Sequence, residues 1–315
     1  MNTCIKISTM EKGGKKMAVL VGCNYVNTKN ELHGCINDVH TMHHALVKRF
    51  GFKPHNIKLI TDAHGSKVLP TGANIMKTLS KMVDQAEPGD VLFLHYSGHG
   101  TQIPTNHGRR HEEAIVPCDF NLITDLDFRK IVNRLPEGVS FTIISDSCHS
   151  GGLIDNEKEQ IGPSTVKTRA MTTTGRPKMI PIDSVLSHLT SLSGIESSNI
   201  GTHLSQVFGN EASVKYRSLN STDLLRPTQP DSGILLSGCQ ANETSADMNP
   251  SVEGGKSYGA FSNAVHTVLK KRKGSISNKE LIVLTREILR AQRLDQHPCL
   301  YCSDENVDAP FLGGF

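Results

Sequence analysis

A histidine bracketed by glycines and a cysteine followed by glycines mark the reactive part of this sequence. His99 lies in HYSGHG at residues 95–100, and Cys148 lies in SDSCHSGG at residues 145–152. A free thiol is mostly protonated at neutral pH, and a neighbouring imidazole turns it into a thiolate nucleophile. Gly98 and Gly100 flank the histidine, and Gly151 and Gly152 follow the cysteine. Glycines at strand ends let a backbone approach a ligand closely. The amide N–H groups of Gly100 and Cys148 would then form an oxyanion hole, as backbone donors at tight turns do. This is the logic of a cysteine hydrolase. No third side chain stands out to orient the imidazole, which leaves a loop carbonyl for that role.

Each reactive segment ends a short apolar run. Val91–Leu94 leads into the first and Phe141–Ile144 into the second. Such runs, stopped by Gly and Ser clusters, read as buried parallel strands. In open α/β sheets the reactive groups gather beyond the carboxyl ends of the strands. Further strands are predicted at Met17–Cys23, Ile57–Ile60, Ala114–Val116, Gly233–Ser237 and His297–Tyr301. Helices are predicted at Cys35–Phe50, Thr71–Ala86, Thr124–Leu135, Tyr258–Leu269 and Lys279–Arg290, from apolar residues at helical spacing. The alternation implies an α/β fold with a mostly parallel sheet and helices on both faces. Residues 1–16 read as a flexible extension, 17–155 as a first catalytic region, 156–231 as a linker and 232–315 as a second region completing the same sheet. The linker is rich in Ser, Thr, Pro and Gly (IGPSTVKTRAMTTTGRPKMIP), although Ile182–Leu192 recovers a weak helical pattern.

The 315 residues suffice for a sizeable core, and a net charge of +3 gives no nucleic-acid footprint. No apolar run approaches a membrane span. The N-terminus lacks the apolar core of a secretory signal, so the expected address is cytoplasmic. Eight scattered cysteines do not make a disulfide scaffold. The CLYC at 299–302 has no second CxxC, and His40, His43 and His44 on one helix lack further ligands, so neither predicts a metal site. Cys23 reads equally as a cleft residue or a buried structural thiol.

Six ordered segments then carry a resemblance. GCNY (22–25), LHGCINDV (32–39), HYSGHG, AIVPCDF (114–120), DSCHSGG and SGCQANETSAD (237–247) together resemble a plant type II metacaspase, of the subgroup with a short linker. The histidine stands 49 residues before the cysteine, which is the caspase-type order. The resemblance implies a caspase-like (caspase-hemoglobinase) fold and a cysteine endopeptidase that cleaves after Arg or Lys. It implies His99 as general base, Cys148 as nucleophile, and a specificity pocket of Asp38, Ser97 and Asp146. A cationic side chain suits paired carboxylates in a partly desolvated pocket. Asp146 stands two residues before Cys148, so strand alternation points both to one side.

The resemblance also implies a self-processing zymogen whose own linker is a substrate. Arg176 precedes Pro177, which blocks hydrolysis. Lys178, before Met179, therefore ranks first as the autocleavage site and Arg169, before Ala170, second. Calcium is the family's cofactor in many members. Here Glu112, Glu113 and Asp155 match only part of the acidic pattern, and TQIPTNHGRRH (101–111) holds no carboxylate. Calcium wants six to eight oxygens, so no cofactor and weak or absent calcium dependence are expected. The expected partners are protein or peptide substrates with Arg or Lys before the scissile bond, with no nucleic acid and no membrane, acting on a monomer. Two other readings stand beside this one: a non-catalytic scaffold of caspase-like fold, and a legumain-like or caspase-like peptidase of different specificity.

Overall fold

Continuous apolar runs with β-branched residues build the central sheet, because only strands buried on both faces tolerate them. A computed structural model describes residues 14–104, 111–148, 153, 158–162, 175–217, 233–240, 243–250 and 255–313. Its strands are β1 (Lys16–Gly22), β2 (Ile57–Thr61), β3 (Val91–Ser97), β4 (Gly100–Pro104), β5 (His111–Ile115), β6 (Ile123–Thr124), β7 (Ser140–Asp146), β8 (Glu159–Ile161), β9 (Arg176–Pro177), β10 (Gly233–Ser237), β11 (Ala246–Met248), β12 (Tyr258–Gly259) and β13 (Cys299–Tyr301). Its α-helices are α1 (Cys35–Arg49), α2 (Gly72–Asp84), α3 (Asp125–Val132), α4 (Ile182–Ser193), α5 (Ile200–Phe208), α6 (Ala260–Lys271), α7 (Asn278–Ala291) and α8 (Asp304–Val307).

The main sheet has the order β2-β1-β3-β7-β10-β13-β8. Its first five strands run parallel, and β13 and β8 close one edge antiparallel. Strand alternation sorts the side chains. Leu92, Leu94 and Tyr96 of β3 pack with Ile75 and Leu79 of α2 and Phe128 of α3. Val91 and Phe93 pack on the other face with Val39 and Leu46 of α1, Phe261 of α6 and Leu281 of α7. Polar residues at the carboxyl ends follow the same alternation, so Ser97 and Asp146 share the α1 and α6 side and pair in register.

Local chemistry sets the helix starts. The Thr71 hydroxyl accepts the Asn74 N–H at 3.2 Å, and Ser277 and Glu280 form a capping box on α7. The first predicted helix of the last region begins at Ala260, not Tyr258, because Tyr258 and Gly259 pair with Met248 and Asp247 as a strand.

The linker region holds more structure than its composition suggests. Residues 182–216 carry both α4 and α5, and Val185, Leu189 and Leu204 are buried against Ile103 of β4 and Val116 and Phe120 of the β5–β6 connection. Glu159–Ile161 joins the main sheet as its edge. Among the described residues, no helix is long and apolar enough to cross a membrane.

Candidate active site

Parallel β3 and β7 deliver the two reactive residues side by side. Ser97 of β3 lies opposite Asp146 of β7, and His99 and Cys148 follow two residues beyond each. Both are buried, at 3% and 0% exposure.

The imidazole is held from several sides. His99 Nε2 lies 2.8 Å from the Asn30 carbonyl. That oxygen only accepts, so Nε2 carries the proton and Nδ1 is the basic nitrogen. Nδ1 is buried and has no hydrogen bond of ordinary geometry. The His99 N–H donates to the Tyr25 hydroxyl at 2.9 Å, and the two rings stack with centroids 4.7 Å apart. The Asp62 carboxylate accepts the N–H groups of Asn24 and Tyr25 and fixes that loop. Burial pulls the His99 imidazole down to about 4; the Asn30 and Lys178 backbone carbonyls oppose the fall, while the Lys178 ammonium and Arg176 add to it. The ring is therefore neutral at physiological pH, the form that accepts a proton. The Cys148 sulfur accepts the Ser245 N–H at 3.0 Å.

The linker runs through this cleft as a strand. Arg176 and Pro177 pair antiparallel with Asp247 and Ala246 of β11. Met179 bridges Gly100 of β4, and the Ile180 N–H donates to the Gly100 carbonyl at 3.1 Å. Between them the Lys178 N–H donates to the Ser245 carbonyl at 2.8 Å. The Lys178 carbonyl oxygen accepts the N–H groups of Gly100 at 3.0 Å and Cys148 at 3.2 Å. Those are the two donors assigned to the oxyanion hole from the sequence.

The Lys178 side chain enters the acidic pocket and is 0% exposed. Its Nζ lies 2.9 Å from Ser97 Oγ, 3.2 Å from Asp146 Oδ2 and 3.5 Å from Asp38 Oδ2. The Ser97 hydroxyl donates to Asp38 Oδ2 at 2.7 Å. Burial alone would lower the ammonium's pKa, but Asp146, Cys35 and Asp38 together raise it above the ordinary value. Asp146 is opposed by burial, yet Lys178 and the hydrogen bonds of Ser245 and Ser262 hold it below the usual carboxylate range. Asp38 is pushed up to about 6 by burial, against the pull of Lys178. The ion pair is thus chiefly Lys178 with Asp146.

Several neighbours of this site carried no signal as isolated residues. Asn30 acts through its backbone. Ser245 and Asp247 lie in a motif quoted from the sequence but without a role there; the Asp247 carboxylate accepts the N–H groups of His33 and Gly34 and ties β11 to the start of α1. The sequence places Gly259 and Ser262 only within a predicted helix. Arg169 and Asp155 lie outside the described residues.

Of the acidic residues matched to the family's calcium pattern, Glu112 and Glu113 are described here. Glu112 is ion-paired with Lys215, which supplies the positive charge from within the chain. Glu113 is 6% exposed on the same strand. Among the described residues, Glu243, Asp295 and His297 group closely enough to share a cation, but His297 Nδ1 already meets Glu243 Oε1 at 2.6 Å. His40 and His44 stand exposed on α1, and Cys299 and Cys302 are buried free thiols. Cys23 is fully buried, and burial raises its thiol well above the usual range, so it stays protonated.

Comparison with known proteins agrees with the resemblance. A family model described as the metacaspase, peptidase C14 domain matches residues 16–157. Metacaspase-9 of Arabidopsis thaliana is 56% identical over 316 residues, covering 95% of this chain and 97% of that protein. Metacaspase-6 of the same plant is 39% identical, covering 94% and 99%. A solved protein from Geobacter sulfurreducens shares the fold at a TM-score of 0.60 and 19% identity, covering 96% of this chain and 99% of that one.

Proposed function

Because the chain belongs to the metacaspase family and is a cysteine peptidase with a caspase-like fold, we propose that it is an Arg/Lys-specific endopeptidase made as a zymogen that cuts its own linker after Lys178. One observation carries this reading. Lys178 occupies the acidic pocket with its side chain and the two oxyanion donors with its carbonyl at the same time. A peptide bond held at both ends in this way is set for attack.

The steps follow from the atoms. Nδ1 of His99 takes the Cys148 thiol proton, and the thiolate attacks the Lys178 carbonyl carbon. The oxyanion that forms is stabilised by the Gly100 and Cys148 N–H groups. The imidazolium returns its proton to the Met179 nitrogen as the C–N bond breaks, leaving a thioester on Cys148. Water, deprotonated by the same imidazole, hydrolyses the thioester. The Asn30 carbonyl keeps the imidazole in the tautomer that serves both transfers.

For substrates supplied in trans, the pocket charge selects a cation. Buried Asp146 would be left unpaired by Asn, and would repel Asp, before the scissile bond. Calcium has no assigned part, because Lys215 already neutralises Glu112. The enzyme is proposed to act as a cytoplasmic monomer on protein substrates. A panel of fluorogenic peptides with Arg, Lys, Asn or Asp before the scissile bond tests the specificity. Turnover confined to Arg and Lys is expected; turnover of the Asn or Asp peptide at a comparable rate would favour the other peptidase readings, and no turnover of any peptide would favour the scaffold.

A further inference from the structure

The pocket that holds Lys178 has a wall that comes from the second half of the chain. The Gly259 N–H donates to both oxygens of Asp38, at 2.9 and 3.0 Å. Three residues on, the Ser262 N–H donates to Asp146 Oδ2 at 2.9 Å, and the nearby Ser262 hydroxyl helps to keep this carboxylate ionised. Both acidic residues therefore rest on the first turn of α6, where unpaired backbone N–H groups and the positive end of the helix favour negative charge.

Gly259 has φ −74° and ψ 130°, a conformation open to any residue. What forbids a side chain there is the content of the pocket. A Cβ on Gly259 would stand 2.2 Å from Asp146 Oδ2, 2.3 Å from Lys178 Nζ and 2.6 Å from Asp38 Oδ2. It would take the place of the substrate's cationic head group.

Behind Ser262 stands the other histidine of HYSGHG. His95 is 0% exposed, and its Nε2 lies 3.0 Å from Ser262 Oγ. With the Ser262 hydroxyl proton turned toward Asp146, Oγ would accept from Nε2–H. His95 thus fixes the hydroxyl's direction, through one protonated nitrogen.

We propose that Gly259 is a specificity-determining residue and that Ser262 and His95 are positioning residues: the glycine leaves the volume for the cationic head, and the Ser262–His95 pair aims a hydroxyl at Asp146. The proposal rests on the Arg/Lys reading of the pocket and extends it to His95 and to two residues of the α6 start more than 100 positions from the nucleophile.

The test uses the full chain and Arg and Lys peptides. Gly259→Ala should lower kcat/KM by at least about 100-fold, the scale of losing a buried charge pair. Alkylation of Cys148 by iodoacetamide, a neutral reagent needing no pocket, should not slow, as read by mass spectrometry of the Cys148 peptide. Ser262→Ala should raise KM about 10- to 100-fold, in line with a lost hydrogen bond to a charged group, with a smaller change in kcat. His95→Leu should reproduce that KM rise, and His95→Gln, which keeps a donor, should largely restore it. Wild-type kcat/KM in Gly259→Ala, or equal loss of peptide cleavage and alkylation, overturns the glycine's role. Unchanged KM in Ser262→Ala, or His95→Gln as impaired as His95→Leu, overturns the positioning role. If the wild-type chain cleaves neither Arg nor Lys peptides, the specificity reading itself has failed and the proposal falls with it.

Discussion

Replacing Lys178 by Met removes a buried ammonium while keeping much of its apolar stem. The background is Cys148→Ala, so that self-cleavage cannot interfere. In this chain the Lys178 head group lies within 3.5 Å of two carboxylates that are 0% and 4% exposed. Breaking a buried ion pair by deleting one partner costs about 3–5 kcal/mol, because the remaining charge stays desolvated. For a chain of this size each kcal/mol lowers Tm by about 2 °C. The expected loss at pH 7.5 is therefore about 6–10 °C, read by circular dichroism melts. The pH dependence has a definite sign. Asp38 stands at about 6 even with Lys178 present, and losing the ammonium raises it further. The folded variant then binds a proton that the unfolded chain, near 3.9, does not. The deficit should shrink as pH falls from 7.5 to 5. Lys178→Arg should keep most of the stability, and Asp38→Asn added to Lys178→Met should recover part of the loss. A Tm within 1 °C of the parent at pH 7.5, or a deficit that grows toward pH 5, would refute the ion-pair account.

Three further outcomes are expected. Asp146→Ala should lower kcat/KM on Arg peptides by about 100- to 1000-fold with an unchanged circular dichroism spectrum; wild-type turnover would remove Asp146 from the pocket's function. A calcium chelator should leave peptide cleavage within twofold, since Lys215 already occupies Glu112; full loss of activity would show a calcium requirement. His95 and His99 are both held at about 4 by burial, so the unfolded chain, with histidines near 6.5, takes up more protons, and stability should fall as pH drops from 6.5 to 4 by about 3 kcal/mol per group. Urea midpoints across that range measure the decline, His95→Gln should make it shallower, and a flat profile would contradict the buried neutral imidazoles.

Much of this architecture is legible in the chain. Val91–Leu94 and Phe141–Ile144 are continuous apolar runs, which only a strand covered on both faces accommodates. His99 and Cys148 stand out because glycines surround them, and Asp146 because alternation ties it to Cys148. Other features arise only from tertiary contacts. Helix α5 is short and lies in a Ser/Thr-rich stretch, and Leu204 is buried only because Ile103 and Phe120 cover it. Of the β4-β5-β6 layer only β5 carries a strand pattern, at Ala114–Val116; β4 and β6 are set by pairing with it. The Asn30 carbonyl has no side-chain signature at all. Gly259 matters for an atom it lacks, which no periodicity reports.

The central claim is that Cys148 and His99 act on the bond after a buried basic residue, first of all Lys178–Met179. The most direct measurement is N-terminal sequencing and intact mass of the fragments formed by the purified chain, beside the same preparation of Cys148→Ala. The account predicts a fragment beginning at Met179 from the wild-type chain and only intact Cys148→Ala. A wild-type chain that is active yet uncut, a fragment beginning elsewhere, or the same cut in Cys148→Ala would contradict it.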